Sequence, residues 1–352
     1  MSAPVVSLVL TVLNESASIE GLLRSIAAQS RPPDEIVIVD GGSTDGTVAI
    51  LECWQARLPL HLLHKPGANI SAGRNAGIAA ARGTIIAVTD AGVRLESDWL
   101  AQLLAPLTRL QETDGPEIVA GFFAPDPQTP FERAMGATVL PTRGDIDPTT
   151  FLPSSRSIAF QREAWTRIGG YPEWLDYCED LIFDLRLREA GLRIVFAPEA
   201  VAKFRPRSTL LAFWHQYFRY ARGDGKAGLF ARRHAIRYTT YAAIGPALLL
   251  ARRYPVVWPL LILAGFGYVR RPYARLLPWL DTLTLTERAA AVAHVPTIRI
   301  VGDLAKMAGY PVGLVWRCRS YGARRNWRTI HDKAGIGSRG REEKLPIPGT
   351  TA

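Results

Sequence analysis

The sequence predicts an α/β protein: a mostly parallel sheet flanked by helices, followed by an apolar and basic helical region. Three observations carry that prediction. Strand-length apolar runs alternate with helix-period segments about every 25–30 residues, the signature of right-handed βαβ units. Lone acids stand where such runs end, and in open α/β sheets ligands sit outside the carboxyl ends of parallel strands. Charge is partitioned along the chain: residues 1–200 hold 16 Lys/Arg against 25 Asp/Glu, whereas residues 201–352 hold 26 against 7.

With 352 residues the chain has enough surface to bury a sizeable core, in one large or two ordinary domains. Cys53, Cys178 and Cys318 are odd in number and far apart, which gives neither a disulfide framework nor metal-ligand spacing and fits a reducing compartment. The opening MSAPVVSLVLTVLNES has no basic flank and no small-residue cleavage pattern, so it reads as a first strand rather than a signal peptide. A basic half beside apolar helices points to an anionic membrane surface. Nucleic acid would need a binding motif that the sequence does not show.

Taken in order, Val5–Val12 is a continuous apolar run of strand length, closed by Asn14-Glu15-Ser16. Ile19, Leu22, Leu23 and Ile26 then recur at helical spacing behind Ser16 or Ser18 as a cap. After Pro32-Pro33, Glu35–Val39 is a second buried strand running into DGGSTDGT, whose glycines allow a tight turn near a ligand. Asp45 or Thr44 caps a helix over Val48–Gln55. A third unit starts at His61-Leu62-Leu63 and enters a helix over Ser71–Ala81, with Arg74 and Asn75 in its first turn and alanines that permit close packing. The chain is organised around Thr84–Trp99: Ile85–Val88 ends in Asp90, then comes an Ala91-Gly92 turn and a helix start at Ser97-Asp98.

Glu117–Phe123 reads as a further strand, and Pro125–Pro153, rich in Pro, Asp and Thr, as a long surface excursion. Ser157–Phe160 is a short strand, Arg162–Arg167 a short helix, and Gly169–Pro172 a turn. CEDLIFDLRLREAGLRIVFAP gives a helix over Glu179–Ala190, stopped by Gly191, then a strand Arg193–Phe196. Residues 208–235 read as a basic-aromatic helix pair around Arg222-Gly223-Asp224-Gly225. Tyr238–Leu250 and Tyr254–Val269 are apolar but each falls short of the ~20 residues that cross a bilayer upright. Arginine pairs at 232–233, 252–253 and 270–271 flank both runs without asymmetry, which favours lying in the interface over crossing it. Ile298–Arg319 is another basic amphipathic stretch, and from Ser338 the chain reads as a polar, disordered tail. The expected organisation is residues 1–230 as the α/β domain, 231–335 as a membrane-associated helical region and 336–352 as a tail.

Asp40, Asp90 and Asp180 fall at strand ends or helix starts on the expected ligand side. One such acid is the usual helix cap; three at one crevice point to chemistry. Asp40 is placed to accept hydrogen bonds from a nucleobase or ribose, and Asp90 to bind Mg²⁺ or Mn²⁺ on a diphosphate. Asp180 suits a general base, with Glu179 as the neighbouring carboxylate that tunes it. Arg219 and Arg222, one helical turn apart, share a face that suits either a leaving diphosphate or lipid headgroups.

In order and spacing these motifs resemble those of family 2 glycosyltransferases with the GT-A, Rossmann-like fold, over roughly residues 5–230. TVLNE resembles the nucleotide-binding start and implies donor contacts at Thr11, Asn14 and Glu15. VDGGSTDGT is similar to the base-contacting motif at Asp40, and SAGRNAGIAAARG to the helix before the metal site, which adds Arg74 beside Asp90. CEDLIFDLRLREAG resembles the helix that bears the catalytic base, implying Asp180 with Glu179. QYFRY resembles the QxxRW motif of polymerising members, implying acceptor or diphosphate roles for Gln216, Arg219 and Tyr220, with Arg222 beside them.

Two departures matter. Where the family carries Asp-x-Asp this chain has Asp90-Ala91-Gly92, and where many members carry a metal-binding His it reads VAKFR over Val201–Arg205. The expectation is therefore weaker metal dependence, with Lys203, Arg205, Arg207, Arg219 or Arg222 carrying more of the diphosphate charge. The resemblance implies inverting transfer of a sugar from a nucleotide-diphosphate sugar to a hydroxyl of a lipid-linked or cell-envelope saccharide acceptor, at the cytoplasmic face of the membrane. Alternatives are a catalytically idle nucleotide-sugar-binding scaffold and a processive polysaccharide synthase, the latter opposed by the absence of long spans. A sugar-phosphate nucleotidyltransferase would want a glycine-rich basic loop near the N-terminus, which TVLNESAS is not.

Overall fold

The computed structural model describes residues 4–109, 117–322 and 324–330. Its sheet begins with β1 (Val6–Val12), β2 (Glu35–Asp40), β3 (Leu60–His64) and β4 (Ile85–Val88), separated by α1 (Ile19–Ala27), α2 (Thr47–Trp54) and α3 (Ile70–Ala80). β5 (Val93–Leu95), α4 (Trp99–Arg109), β6 (Ile118–Pro125), α5 (Pro130–Val139), β7 (Ile158–Gln161), α6 (Arg162–Ile168), α7 (Glu179–Glu189) and β8 (Ile194–Phe204) follow. The C-terminal part is helical: α8 (Leu210–Ala227), α9 (Ala231–Arg253), α10 (Trp258–Leu280) and α11 (Leu285–Tyr321).

All eight strands form one sheet in the order β3-β2-β1-β4-β7-β6-β8-β5. The β3-β2-β1-β4 half is parallel, as the βαβ rhythm predicts, but β7 runs antiparallel to both β4 and β6, and β5 antiparallel to β8. Helices cover both faces, which is why the strands read as unbroken apolar runs. Successive side chains of β1 point to opposite faces: Leu8, Leu10 and Val12 meet α1 and α4, while Val9 meets Ile78 of α3 and its neighbours. The stripe Ile19, Leu22, Leu23, Ile26 is fully buried. Each of those side chains contributes roughly 1.5–3 kcal/mol of apolar burial.

Three local expectations are corrected. The excursion after Pro125 holds α5, whose residues Ala134 and Met135 pack against Leu276, Val295 and Ile298 of the C-terminal helices. Thr129 caps it by accepting from the Glu132 backbone N–H at 3.2 Å, and Pro130 sits at its first turn. The 208–235 region is not hinged at Gly223-Asp224-Gly225: α8 runs unbroken through it and stops at Gly228, which is left-handed. A methyl group at Gly223 would meet the Tyr177 carbonyl at 2.7 Å, and one at Gly225 would collide with the Tyr310 carbonyl. Those glycines are contact points where α8 is crossed, not a turn. Ser18 starts α1 without a side-chain cap bond; its hydroxyl turns back onto Glu15.

The two apolar runs lie within α9 and α10, joined by a single 3₁₀ turn at Pro255–Val257. Among the described residues no helix is long and apolar enough to cross a membrane. Their outer faces nonetheless expose Leu249, Val256, Leu260, Ile262 and Phe266. The expected tail from Ser338 lies outside the described residues.

Candidate functional site

The crevice forms where the sheet passes from parallel to antiparallel pairing, between β4 and β7. β4 delivers Asp90 at its carboxyl end, and α3, lying against β1 and β2, delivers Arg74 beneath it. That approach depends on small residues: a methyl at Gly73 would sit 2.7 Å from Thr11 and one at Gly77 2.6 Å from Val9. Asn69 starts α3 by accepting from the Ala72 N–H at 2.9 Å, which fixes the helix so that Arg74 is buried at 2 % exposure.

Arg74 joins two carboxylates. It donates to Asp90 Oδ1 at 2.7 Å and to Glu179 Oε1 at 2.9 Å, with its guanidinium 5.2 Å over the Tyr171 ring. Burial alone would weaken its charge, but the two carboxylates more than offset that and raise its affinity for the proton. Asp90's second oxygen faces the Arg156 guanidinium at 3.5 Å. Burial works against the Asp90 charge; Arg74 and Arg156 overcome it and hold the carboxyl below its ordinary range.

Glu179 and Asp180 open α7, and Cys178 before them adopts a left-handed φ of 66°. That conformation costs energy in a non-glycine residue, and it is held here by contacts of Cys178 Sγ with the Tyr220 carbonyl at 3.3 Å and Asp224 at 3.5 Å. Burial pushes the Glu179 carboxyl up to about 7, the neighbouring Asp180 adds to the rise, and Arg74 opposes both. Asp180 accepts from the Leu181 N–H at 2.8 Å and makes no salt bridge among the described residues; its charge acts on Arg74 and Arg156 without direct contact.

These groups line a cavity of about 750 Å³ that also holds Gln216, Arg219 and Tyr220. Gln216 donates to the Tyr220 hydroxyl at 2.8 Å, and Arg219 to the Tyr177 hydroxyl at 3.0 Å. Arg222 is not in that wall. It donates to Asp176 at 2.6 Å, beside Lys226 at 2.5 Å, so the expected Arg219–Arg222 clamp is replaced by an anchor that ties the loop before α7 to α8.

Thr11 and Glu15 line a smaller cavity of about 220 Å³, which shares Ile70 with the first. Asn14 folds over its rim, with φ 56° and its side-chain oxygen accepting from the Thr44 N–H at 2.8 Å. Asp40 is buried at 2 % exposure and spends its oxygens on the Gly42 and Ser43 N–H groups, shaping the DGGS turn at the end of β2. Asp90 and Asp180 are thus brought together, whereas Asp40 is set aside. Arg156 was not legible as a site residue. It precedes β7, and only because β7 is antiparallel does the start of that strand fall at the crevice.

The turn at Asp90 gives a divalent ion a thin donor set. Asp90 is the only carboxylate of the 90–92 turn and both its oxygens face guanidinium groups. Among the described residues no cluster of three or more His, Cys, Asp or Glu is arranged to hold a metal.

A crevice of this kind at the strand ends of an α/β sheet defines an enzyme that handles a small-molecule ligand. The sequence profile "Glycosyl transferase family 2" matches residues 7–153 and the profile "Glycosyl transferase family group 2" matches residues 146–300; the chain belongs to glycosyltransferase family 2. It is 29% identical over 229 residues to the succinoglycan biosynthesis protein ExoA of Rhizobium meliloti, covering 62% of this chain and 68% of that one. To the beta-monoglucosyldiacylglycerol synthase of Synechocystis it is 25% identical over 305 residues, covering 75% of this chain and 61% of that one. The mannosyltransferase PcManGT of Pyrobaculum calidifontis, solved with GDP-Man and Mn²⁺, superposes with a TM-score of 0.52 at 20% identity, covering 91% of this chain and 88% of that one, which shows a shared GT-A-like fold.

Proposed function

We propose that the protein is an inverting glycosyltransferase that moves a sugar from a nucleotide-diphosphate sugar to a hydroxyl of a lipid-linked or cell-envelope saccharide acceptor. One observation carries this reading: Asp180, an acid in no salt bridge among the described residues, shares a cavity with Asp90, Arg74 and Arg156. The nucleotide occupies the smaller cavity beside Thr11 and Glu15, and the diphosphate passes Ile70 into the larger one. Asp180 takes the proton of the acceptor hydroxyl, that oxygen attacks the anomeric carbon, and the bond to the diphosphate breaks with its electrons going to the leaving oxygen. Arg156 and Arg219 face the departing charge. A single in-line displacement inverts the anomeric centre. Relatives named for succinoglycan and glucosyldiacylglycerol synthesis support a saccharide or lipid acceptor.

The exposed apolar faces of α9 and α10, flanked by Arg252, Arg253, Arg270 and Arg271, suit an amphipathic pair lying on an anionic leaflet. This reading places the chain at the cytoplasmic face of the membrane, where nucleotide sugars are made.

The test is a panel of nucleotide sugars offered with membrane lipids, read as release of nucleotide diphosphate, on the wild type and Asp180→Asn. Loss of a general base removes roughly 10²–10⁴ of the rate. Turnover in Asp180→Asn equal to wild type overturns the base assignment. Nucleotide binding without turnover across the whole panel would make the chain a scaffold.

A further inference from the structure

The main cavity holds more positive charge than the transfer step uses. Arg74 and Arg156 face Asp90, and Arg237 donates to Asp303 at 2.8 Å. Lys306 differs. Its ammonium lies 4.9 Å over the Tyr217 ring and makes no salt bridge among the described residues. Arg233 stands 4.8 Å over the Phe230 ring, equally without a carboxylate partner among those residues. Arg207 lines the same cavity under the same condition. All three belong to segments after the sheet: Arg207 before α8, Arg233 on α9 and Lys306 on α11.

Lys306 is half-buried while Arg207 and Arg233 are exposed, and a half-buried cation in no salt bridge is costly unless something anionic arrives. Burial, with Arg237 and Arg299 nearby, pushes the Lys306 ammonium down to about 8 although Asp303 partly supports it. An anion seated there would relieve that crowding. α9, which carries Arg233, continues outward to exposed Ile244, Leu248 and Leu249, so the cationic wall runs into an apolar surface.

We propose that this helical wall is a second anion subsite, which seats a phosphate, diphosphate or carboxylate carried by the acceptor. The inference rests on the transferase reading and deepens it: the acceptor, as well as the donor, is recognised by negative charge. The group's chemistry is common to a lipid phosphate, a soluble sugar phosphate and an acidic saccharide.

Inorganic pyrophosphate is the probe, titrated calorimetrically onto the full chain alone and after saturation with UDP or with GDP. The expected result is a site that persists under nucleotide saturation and weakens about tenfold in Lys306→Gln, the usual loss for one charged hydrogen bond. Arg233→Gln, at an exposed position whose guanidinium lies over the Phe230 ring, should weaken it in the same direction, which guards against a folding defect in the first variant. Pyrophosphate binding that vanishes on nucleotide saturation, or that ignores both substitutions, overturns the subsite. If neither nucleotide binds, the donor reading fails separately, and Lys306-dependent pyrophosphate binding still decides the subsite. Competition then separates the sources: a soluble sugar phosphate, a uronate oligosaccharide, and a lipid phosphate in phosphatidylcholine vesicles, with a neutral oligosaccharide as the control. At least one should displace pyrophosphate from the wild type; displacement only by a neutral oligosaccharide counts against the proposal.

Discussion

Arg74 on α3 donates to Glu179 on α7 at 2.9 Å across 105 positions of chain, and the same guanidinium holds Asp90. Through this one side chain the parallel half of the sheet is tied to the helix that carries the proposed base. Removing it leaves two carboxylates, one of them buried at 7 % exposure, without their shared cation. Breaking a buried pair in this way costs about 3–5 kcal/mol. Arg74→Met should therefore lower stability by that amount in urea titration, and Arg74→Lys should recover only part, because an ammonium lacks the planar fork that reaches both acids. Stability of Arg74→Met within 1 kcal/mol of wild type, as a rough bound on experimental scatter, would refute the bridge.

Glu179 makes stability depend on pH with a definite sign. Its carboxyl ionises ordinarily at 4.5 and in the folded chain at about 7. Between those values the folded chain keeps a proton that the unfolded chain has released, so stability falls as pH rises through the window and levels off above it. The full shift corresponds to roughly 3 kcal/mol. Glu179→Gln, which cannot ionise, should lack that decline. Denaturation of both chains at several pH values checks it: a wild-type minus Gln difference that stays constant across the window would show that Glu179 is not the titrating group.

Close approach of α3 to the sheet should be equally measurable. A methyl at Gly77 comes 2.6 Å from Val9 Cγ1 and 3.2 Å from Val39 Cγ2, both on strands that cannot retreat. Overpacking of this kind costs about 1–3 kcal/mol. Gly77→Ala should lower the melting temperature and, by pushing Arg74 off line, reduce nucleotide-diphosphate release more than Gly144→Ala, where the added carbon meets nothing. Equal effects at the two positions would remove the packing explanation.

The first hundred residues were readable because parallel strands buried on both faces are continuous apolar runs, and because α1 shows its core face as a clean stripe. Motif order carried Asp90, Arg74, Glu179 and Asp180 into one crevice. What failed had physical causes. The composition of Pro125–Pro153 masked the start signal Thr129-Pro130 and Glu132, which opens a buried helix. Gly223 and Gly225 look like a hinge in isolation; they are small because residues far away, Tyr177 and Tyr310, lie against them. Arg156 was hidden by strand direction, since a residue before a parallel strand falls at the opposite edge from the ligand.

Metal use offers the sharpest contrast between this chain and the usual pattern of its family. With Gly92 in place of the second acid, and Asp90 engaged by Arg74 and Arg156, the diphosphate charge falls to arginines, so chelator should leave most of the wild-type turnover. The missing carboxylate can be put back. Gly92 has no left-handed backbone, and a side chain begun there meets nothing within 4 Å. One or two carboxylates plus substrate phosphates are the normal demand of a divalent ion at such a site. Gly92→Asp should therefore bind Mn²⁺ in the presence of nucleotide diphosphate, by calorimetry, at least about tenfold more tightly than wild type, a gain of roughly 1.4 kcal/mol. Its turnover should become sensitive to chelator. Wild-type turnover abolished by chelator and restored by Mn²⁺, or Mn²⁺ affinity identical in the two chains, would show that the ion finds its ligands elsewhere and that Arg156 does not take its place.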